Sequence, residues 1–344
     1  MPNINTDILD TIVDHAHDME AIKTSSAVRV TREFNTRVTR IMGDIQRRLP
    51  NLNRARYHFM RDSVKYEVKA GLNAAKKELL KSLQDTLKHE LAWQAKAFKG
   101  ILPPGVKLRK PTLKTISKFT ERMKVQDRTL TNLFNSIGRD TTSRIMKQIR
   151  RWDGKSVSEL TTSVRGTRVN KFSDGLFKKT RSQIEATVRS AEAQVINQAS
   201  EAFFEENPHL VKAVQLTAVL DSRTTPICRS YDGRVYPVGK GPRPPFHFNC
   251  RTTVVPVLRS WEELGIKNPT KEVKSQFTGT PADRVTYNEW LMRQKAEIQD
   301  KALGPKRAAL LRSGQVSIDS FTNNRGRLLT LKELARREGL TLDF

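Results

Sequence analysis

The chain has 344 residues with 62 Lys+Arg against 36 Asp+Glu, a formal charge of +26, and is 37% hydrophobic and 7% aromatic. That is long enough for two or three domains with a real core, and too apolar for a disordered chain. No run nears the ~18 apolar residues of a membrane-spanning helix, the acidic opening MPNINTDILDTIVDHAHDME does not read as a secretory signal, and two cysteines exclude a disulfide-stapled scaffold, so the expectation is a soluble, strongly basic protein made in the cytoplasm.

Long helices come first. Phe34, Val38, Ile41, Ile45 and Leu49 recur at helical spacing until Pro50 stops the run. Val64, Val68, Leu72, Ala75, Leu79, Leu83, Leu87 and Leu91 make a second stripe, ending at Gly100 before Pro103-Pro104. A helix over about 56–99 needs cover for that stripe, and an antiparallel hairpin with residues 8–49 is the simplest arrangement. Residues 101–126 read as a Pro- and Lys-rich connector with a short helix. Leu130, Phe134, Ile137, Thr141, Ile145 and Ile149 predict another helix, with Asp127 as its N-cap. Gly154, Gly166 and Gly175 divide 152–180 into short helices and turns. Thr180 and Gln183 then read as a capping box for a helix carrying Ile184, Val188, Ala191, Val195 and Ala199, ending near Asn207-Pro208.

The texture changes after that. Ala213 to Leu220 alternates as a strand, with Val214, Leu216, Ala218 and Leu220 on one face and Gln215 and Thr217 on the other. Asp232-Gly233 reads as a hairpin turn before Val235 and Tyr236, and Thr252 to Val257 as a further strand. The intervening GKGPRPPFHFNC is kept irregular by its glycines and prolines. From Trp261 the chain is expected to be helical again, with stops at Gly304-Pro305 and Gly314. The expected fold is α+β, mainly α. A long-helix region spans 1–105, a domain over 106–260 ends in a small antiparallel β motif (213–257) with a Cys/His/Cys loop, and a helical extension covers 261–344.

Charge is regional. Residues 51–200 hold 32 of the 62 Lys+Arg but only 13 of the 36 Asp+Glu, so they carry +19 of the +26. It peaks at Lys107, Arg109, Lys110, Lys114, Lys118, Arg122, Lys124 and Arg128, and again at Arg144, Lys147, Arg150 and Arg151. A polyanion relieves such self-repulsion, and double-stranded DNA does so through its phosphates without sequence being read. No helix–turn–helix, RRM or finger signature accompanies the charge. An anionic membrane surface or a merely solvated basic face are the competing readings.

Both cysteines fall in residues 221–251, where His247-x-x-Cys250 and Cys228 can converge. Zinc takes four N, S or O ligands, and Cys228, His247 and Cys250 with Asp221 or a water satisfy it. The competing readings are two buried cysteines beside a hydrogen-bonded histidine, and oxidation of the pair. A cysteine nucleophile lacks an orienting group, and a His-Asn-His nuclease lacks its second histidine and carboxylate.

In order, Asp221, Arg223 and Thr224, then Cys228, Asp232-Gly233, Pro244-Pro245, His247, Cys250 and Arg251 resemble the core motif of the minor head (head morphogenesis) proteins of tailed bacteriophages, the family named after protein F of phage Mu. The preceding helix, with Arg189 and Glu192, is similar to the family's. Tyr287, Trp290, Leu291, Gln294, Leu303, Gly304, Arg307, Leu310 and Gly314 resemble its C-terminal extension, so the likeness covers roughly 180–335, and the first 150 residues show none beyond being helical and basic. The resemblance implies a few-copy, non-catalytic protein of the virion, in the head interior or neck, made in the bacterial host cytoplasm. It implies the portal protein, packaged DNA, and scaffold or major capsid protein as partners, with roles in assembly or genome ejection. Asp221, Arg223, Thr224, Gly233 and Arg251 are then expected to act as a folding staple, with Lys107, Arg109, Lys110, Lys114, Lys118, Arg122, Lys124, Arg144, Lys147 and Arg150 on the DNA backbone. The alternatives are a metal-dependent nucleic-acid-processing enzyme and a host-directed effector delivered with the genome.

Overall fold

The structure is a computed structural model that describes residues 4–101, 106–112, 123–152, 156–167, 169–170, 173–260, 263–264, 285–323 and 327–341. Three long helices dominate it: α1 (Ile4–Arg48), α2 (Arg54–Ile101) and, later, α5 (Leu176–Glu206). The turn between α1 and α2 is a single 3-10 turn, Leu49–Asn51, with Pro50 inside it. Asn53 caps the start of α2 by accepting the Arg56 N–H at 2.9 Å. The expected antiparallel hairpin is thus present, with both stripes buried apart from Leu91, which is half-buried.

The chain forms two compact units, each assembled from separated segments. A helical unit comprises Asp18–His89 and Thr112–Ile196. It buries Phe34, Ile41 and Ile45 of α1, Val64 to Leu83 of the α2 stripe, and the apolar faces of α3 (Leu130–Arg150), α4 (Val157–Arg165) and α5. Phe34 meets Phe177 edge-on at 5.9 Å. Gly175 is obligatory where α5 begins, because a Cβ there would lie 2.2 Å from the Gly166 nitrogen.

Two expected caps are displaced. Asp127 does not cap α3. With Gln126 it occupies the left-handed region (φ 60° and 49°) and turns a two-residue hairpin between β1 (Lys124–Val125) and β2 (Arg128–Thr129), a geometry Asp tolerates. The cap is Thr129, whose Oγ1 accepts the Asn132 N–H at 3.2 Å. Thr180 does not open α5 either: it lies inside the helix, fully buried, with its hydroxyl 2.8 Å from that of Thr141.

The sheet unit comprises Met1–His17, Glu90–Pro111 and Asn197–Phe344. Its three-stranded antiparallel sheet has β3 (Val211–Thr217) between β4 (Val235–Pro237) and β5 (Thr253–Leu258). Val214 sits opposite Tyr236 on one side and Pro256 on the other. Pro256 is tolerated because β5 is an edge strand. Ile8, Ile12, Phe98, Phe203 and Phe204 pack with Val214, Leu216 and Val254 into one core. The expected polar face of β3 is covered as well, Gln215 and Thr217 each being 5% exposed. Short helices α7 (Tyr287–Met292), α8 (Ala296–Leu303), α9 (Pro305–Arg312) and α10 (Leu331–Glu338) enclose a second core around Tyr287, Leu311 and Phe321. Capping boxes open two of them, Thr286 with Glu289 and Thr330 with Glu333. Among the described residues no helix is long and apolar enough to cross a membrane.

Candidate metal centre

Cys228 is carried by a one-and-a-half-turn helix, α6 (Pro226–Tyr231), which the sequence reading did not anticipate. The Thr225-Pro226 pair starts it, since proline's missing N–H costs nothing in a first turn. His247 and Cys250 come from the loop between β4 and β5. There Asn249 takes a left-handed conformation (φ 59°), and the turn closes with the Cys250 N–H donating to the His247 carbonyl at 3.2 Å. Asp232-Gly233 is not a hairpin turn between strands. It follows α6, and the Asp232 carboxylate accepts the N–H groups of Ala218 and Tyr287, both at 2.7 Å.

The three predicted ligands converge. Cys228 Sγ lies 3.1 Å from His247 Nε2 and 3.6 Å from Cys250 Sγ, and the three donor atoms fall within 4.8 Å of one another. Both cysteines are buried among Ala218, Ile227 and Phe246. His247 Nδ1 is 2.7 Å from the Phe248 carbonyl, which can only accept, so Nδ1 carries the proton and the Nε2 lone pair faces the sulfurs. A second-shell carbonyl of this kind fixes the tautomer of metal-bound histidines. The Thr225 hydroxyl, 2.8 Å from Nε2, holds the ring from its other edge.

The electrostatics make one thiol acidic at the expense of the other. The hydrogen bond from Cys228 pushes the Cys250 thiol down against the effect of burial, helped by His247 and by the backbone N–H groups of Thr252 and Phe246. The same bond, with burial, pushes Cys228 up. The hydrogen bond to Cys250 raises His247 against desolvation. A tetrahedral zinc ion with bonds of about 2.3 Å to sulfur separates two sulfur ligands by about 3.8 Å, close to the 3.6 Å between Cys228 and Cys250, and with His247 these make a donor set that could hold a metal ion.

Asp221 does not join them. Its two carboxylate oxygens accept a bidentate pair from Arg251, both at 2.7 Å, and also the Arg223 N–H at 2.9 Å. Arg251 holds its carboxyl well below the usual carboxylate range. A carboxylate so engaged is a poor metal ligand; the ion pair joins the segment that follows β3 to the one that precedes β5. Thr224 lies in the first of these segments, donating to the Val219 carbonyl, and Gly233 supplies the positive φ of 76° after α6. Tyr287 extends the cluster: its hydroxyl donates to the Asp221 carbonyl at 3.0 Å, and the Arg229 guanidinium lies 5.0 Å over its ring.

The predicted basic residues disperse. Lys107, Arg109 and Lys110 are exposed on a segment of the sheet unit whose backbone is held by Asn207, the Arg109 N–H donating to Asn207 Oδ1 at 2.8 Å. Lys124, Lys147 and Arg150 are exposed on the helical unit. Arg144 instead spends its guanidinium on the fold, donating to the Leu176 carbonyl at 2.9 Å and pairing with Asp140 at 3.2 Å. Lys114, Lys118 and Arg122 lie outside the described residues. Of the two helix residues singled out, Arg189 pairs with Glu20, and Glu192 is buried beside Ser82.

Residues 118–255 match the family model described as Phage Mu protein F like protein. The match lies within the 106–260 domain read from the sequence; it takes in α3 and α4, which precede the roughly 180–335 whose motifs carry the resemblance, and it ends before the C-terminal helices. No curated protein and no solved structure matches.

Proposed function

We propose, because residues 118–255 match the family model of phage Mu protein F like proteins, that the chain is a structural minor head protein of a tailed phage, seated at the portal in contact with packaged DNA. In this reading it acts in head assembly or genome ejection and performs no catalysis. The carrying observation is that the matched region encloses the whole of the Cys228–His247–Cys250 clasp and the Asp221–Arg251 staple beside it. A zinc ion held by the three ligands fastens the β4–β5 loop to α6, a structural role for which a buried donor set is suited. The formal charge of +26 suits a protein enclosed with dense phosphate.

Co-expression with the portal protein and affinity capture is expected to recover both, and particles assembled without this polypeptide are expected to lose infectivity. Fully infectious particles lacking it, together with no portal capture, would overturn the reading. So would nicking of supercoiled plasmid by the purified chain with Mg²⁺ or Zn²⁺.

A further inference from the structure

A groove of about 640 Å³ runs between α2 and α3, wholly inside the helical unit. Its floor is already sealed. Val68, Leu72, Phe134 and Met146 are each at most 3% exposed, and Gly138 lets the helices approach so closely that a Cβ there would sit 3.2 Å from Leu72 Cδ1. The banks are cationic. Arg61, Lys65 and Lys69 recur every fourth residue of α2, which stacks them on one face about 6 Å apart along the axis, and Arg139 and Arg150 line the α3 side. The one carboxylate among the lining residues, Asp62, pairs with Arg61 at 3.0 Å.

Aromatic rings gather at the loop end of the same helix. Tyr57 accepts the Arg150 Nε–H at 2.6 Å, and His58 packs edge-on against the Tyr57 ring at 5.8 Å. Tyr66 is 67% exposed, and Phe59 is 57% exposed with the Arg48 guanidinium 4.0 Å over its ring. Isolated exposed rings are ordinary. Four within ten residues of the helix that carries Arg61, Lys65 and Lys69, one of them bonded to the groove's Arg150, form with the five cations the pattern that tracks a phosphodiester backbone while stacking unpaired bases.

We propose that this groove binds single-stranded nucleic acid, the phosphates following the two cationic banks and bases stacking on the Tyr57–Tyr66 rings. A duplex keeps its base faces inside its own stack and would leave those rings without partners. An acidic amphipathic helix would satisfy the banks, but Val68, Leu72, Phe134 and Met146, already covered, leave its hydrophobic face little to bury. Lys107, Arg109 and Lys110 belong to the sheet unit and do not line the groove, whereas Arg150 is shared with the residues expected on the DNA backbone.

Fluorescence anisotropy of the full chain with labelled oligo-dT of about 20 nucleotides, and with a duplex of equal length, tests it. Tyr66→Ala is expected to weaken oligo-dT about 5- to 100-fold and leave the duplex almost unchanged. Lys65→Glu with Lys69→Glu is expected to weaken oligo-dT by about tenfold or more, and Lys107→Glu with Lys110→Glu by no more than about twofold. Circular dichroism melts establish that each variant is folded. Oligo-dT affinity that is indifferent to the Lys65/Lys69 pair, equally sensitive to the Lys107/Lys110 pair, or lost with Tyr66→Ala only to the extent that duplex affinity is lost would overturn the proposal. None of these outcomes bears on portal capture or infectivity.

Discussion

Glu192 lies mid-way along α5 with none of its surface exposed. One carboxylate oxygen accepts the Ser82 hydroxyl at 2.7 Å, and the other has no hydrogen-bond partner. Burial pushes its pKa up, and hydroxyls of Ser82, Thr86 and Ser26 only partly oppose this. A carboxyl whose folded pKa exceeds its unfolded one favours the fold most below the unfolded value, and that contribution is lost as pH rises through the folded pKa. Glu192→Gln keeps the shape and the acceptor without the charge. Its melting temperature is expected to exceed the native one at about pH 8, with the gap closing by about pH 4. Calorimetry showing a gap of the same size at both would contradict this account.

Cys250→Ser removes one of three convergent donors. Purified native chain is expected to contain about one zinc, and chelation should lower its melting temperature but not that of Cys250→Ser. Elemental analysis finding no metal in protein prepared without chelator would refute the zinc reading. At this scale much was legible: two thiols and an imidazole in a 31-residue stretch, two of them three residues apart, point to convergence before any coordinates. What misled was Asp221. Its assignment as a ligand needed only the right chemistry. Asp221 was also expected with Arg251 in a staple, and the folded loop, which brings the two together across 30 residues, decides between the two roles.

Helices α1, α2 and α3 were readable because a stripe of four or more turns leaves one way to hide it. Element ends were less so. Capping depends on the backbone conformation a residue adopts, so Asp127, a good cap by type, was drawn into the left-handed turn of a hairpin that no periodicity announces. Helix α6 was missed because six residues are too few for a period. The C-terminal elements were expected to be helical, but their grip on the motif was not foreseen. Helix α7 fixes it through Tyr287, whose ring is 1% exposed. Tyr287→Phe is expected to cost about 1 kcal/mol for the lost hydrogen bond, and Tyr287→Ala about 3–5 kcal/mol for the cavity as well. Urea unfolding that ranks the two equally would mean that the aromatic packing contributes little.

For the whole molecule, charge makes the firmest forecast. If about 6–10 phosphates are engaged, affinity for duplex DNA should fall about 10³–10⁵-fold between 50 and 200 mM salt. A titration showing affinity indifferent to salt would remove the electrostatic basis for a DNA role. Composition alone supports that forecast, yet it could not say which cations face outward. Arg144, in the middle of a basic run, is consumed by Asp140 and a helix terminus.

The core around β3 joins Ile8, Leu9 and Ile12 to strands that end at Leu258. On a ribosome moving at about 5–20 residues per second, those first apolar side chains wait roughly 10–50 s for their partners to emerge. Through that interval the start of the nascent α1 presents an apolar edge with nothing to cover it, so this polypeptide is most exposed to aggregation while it is being made.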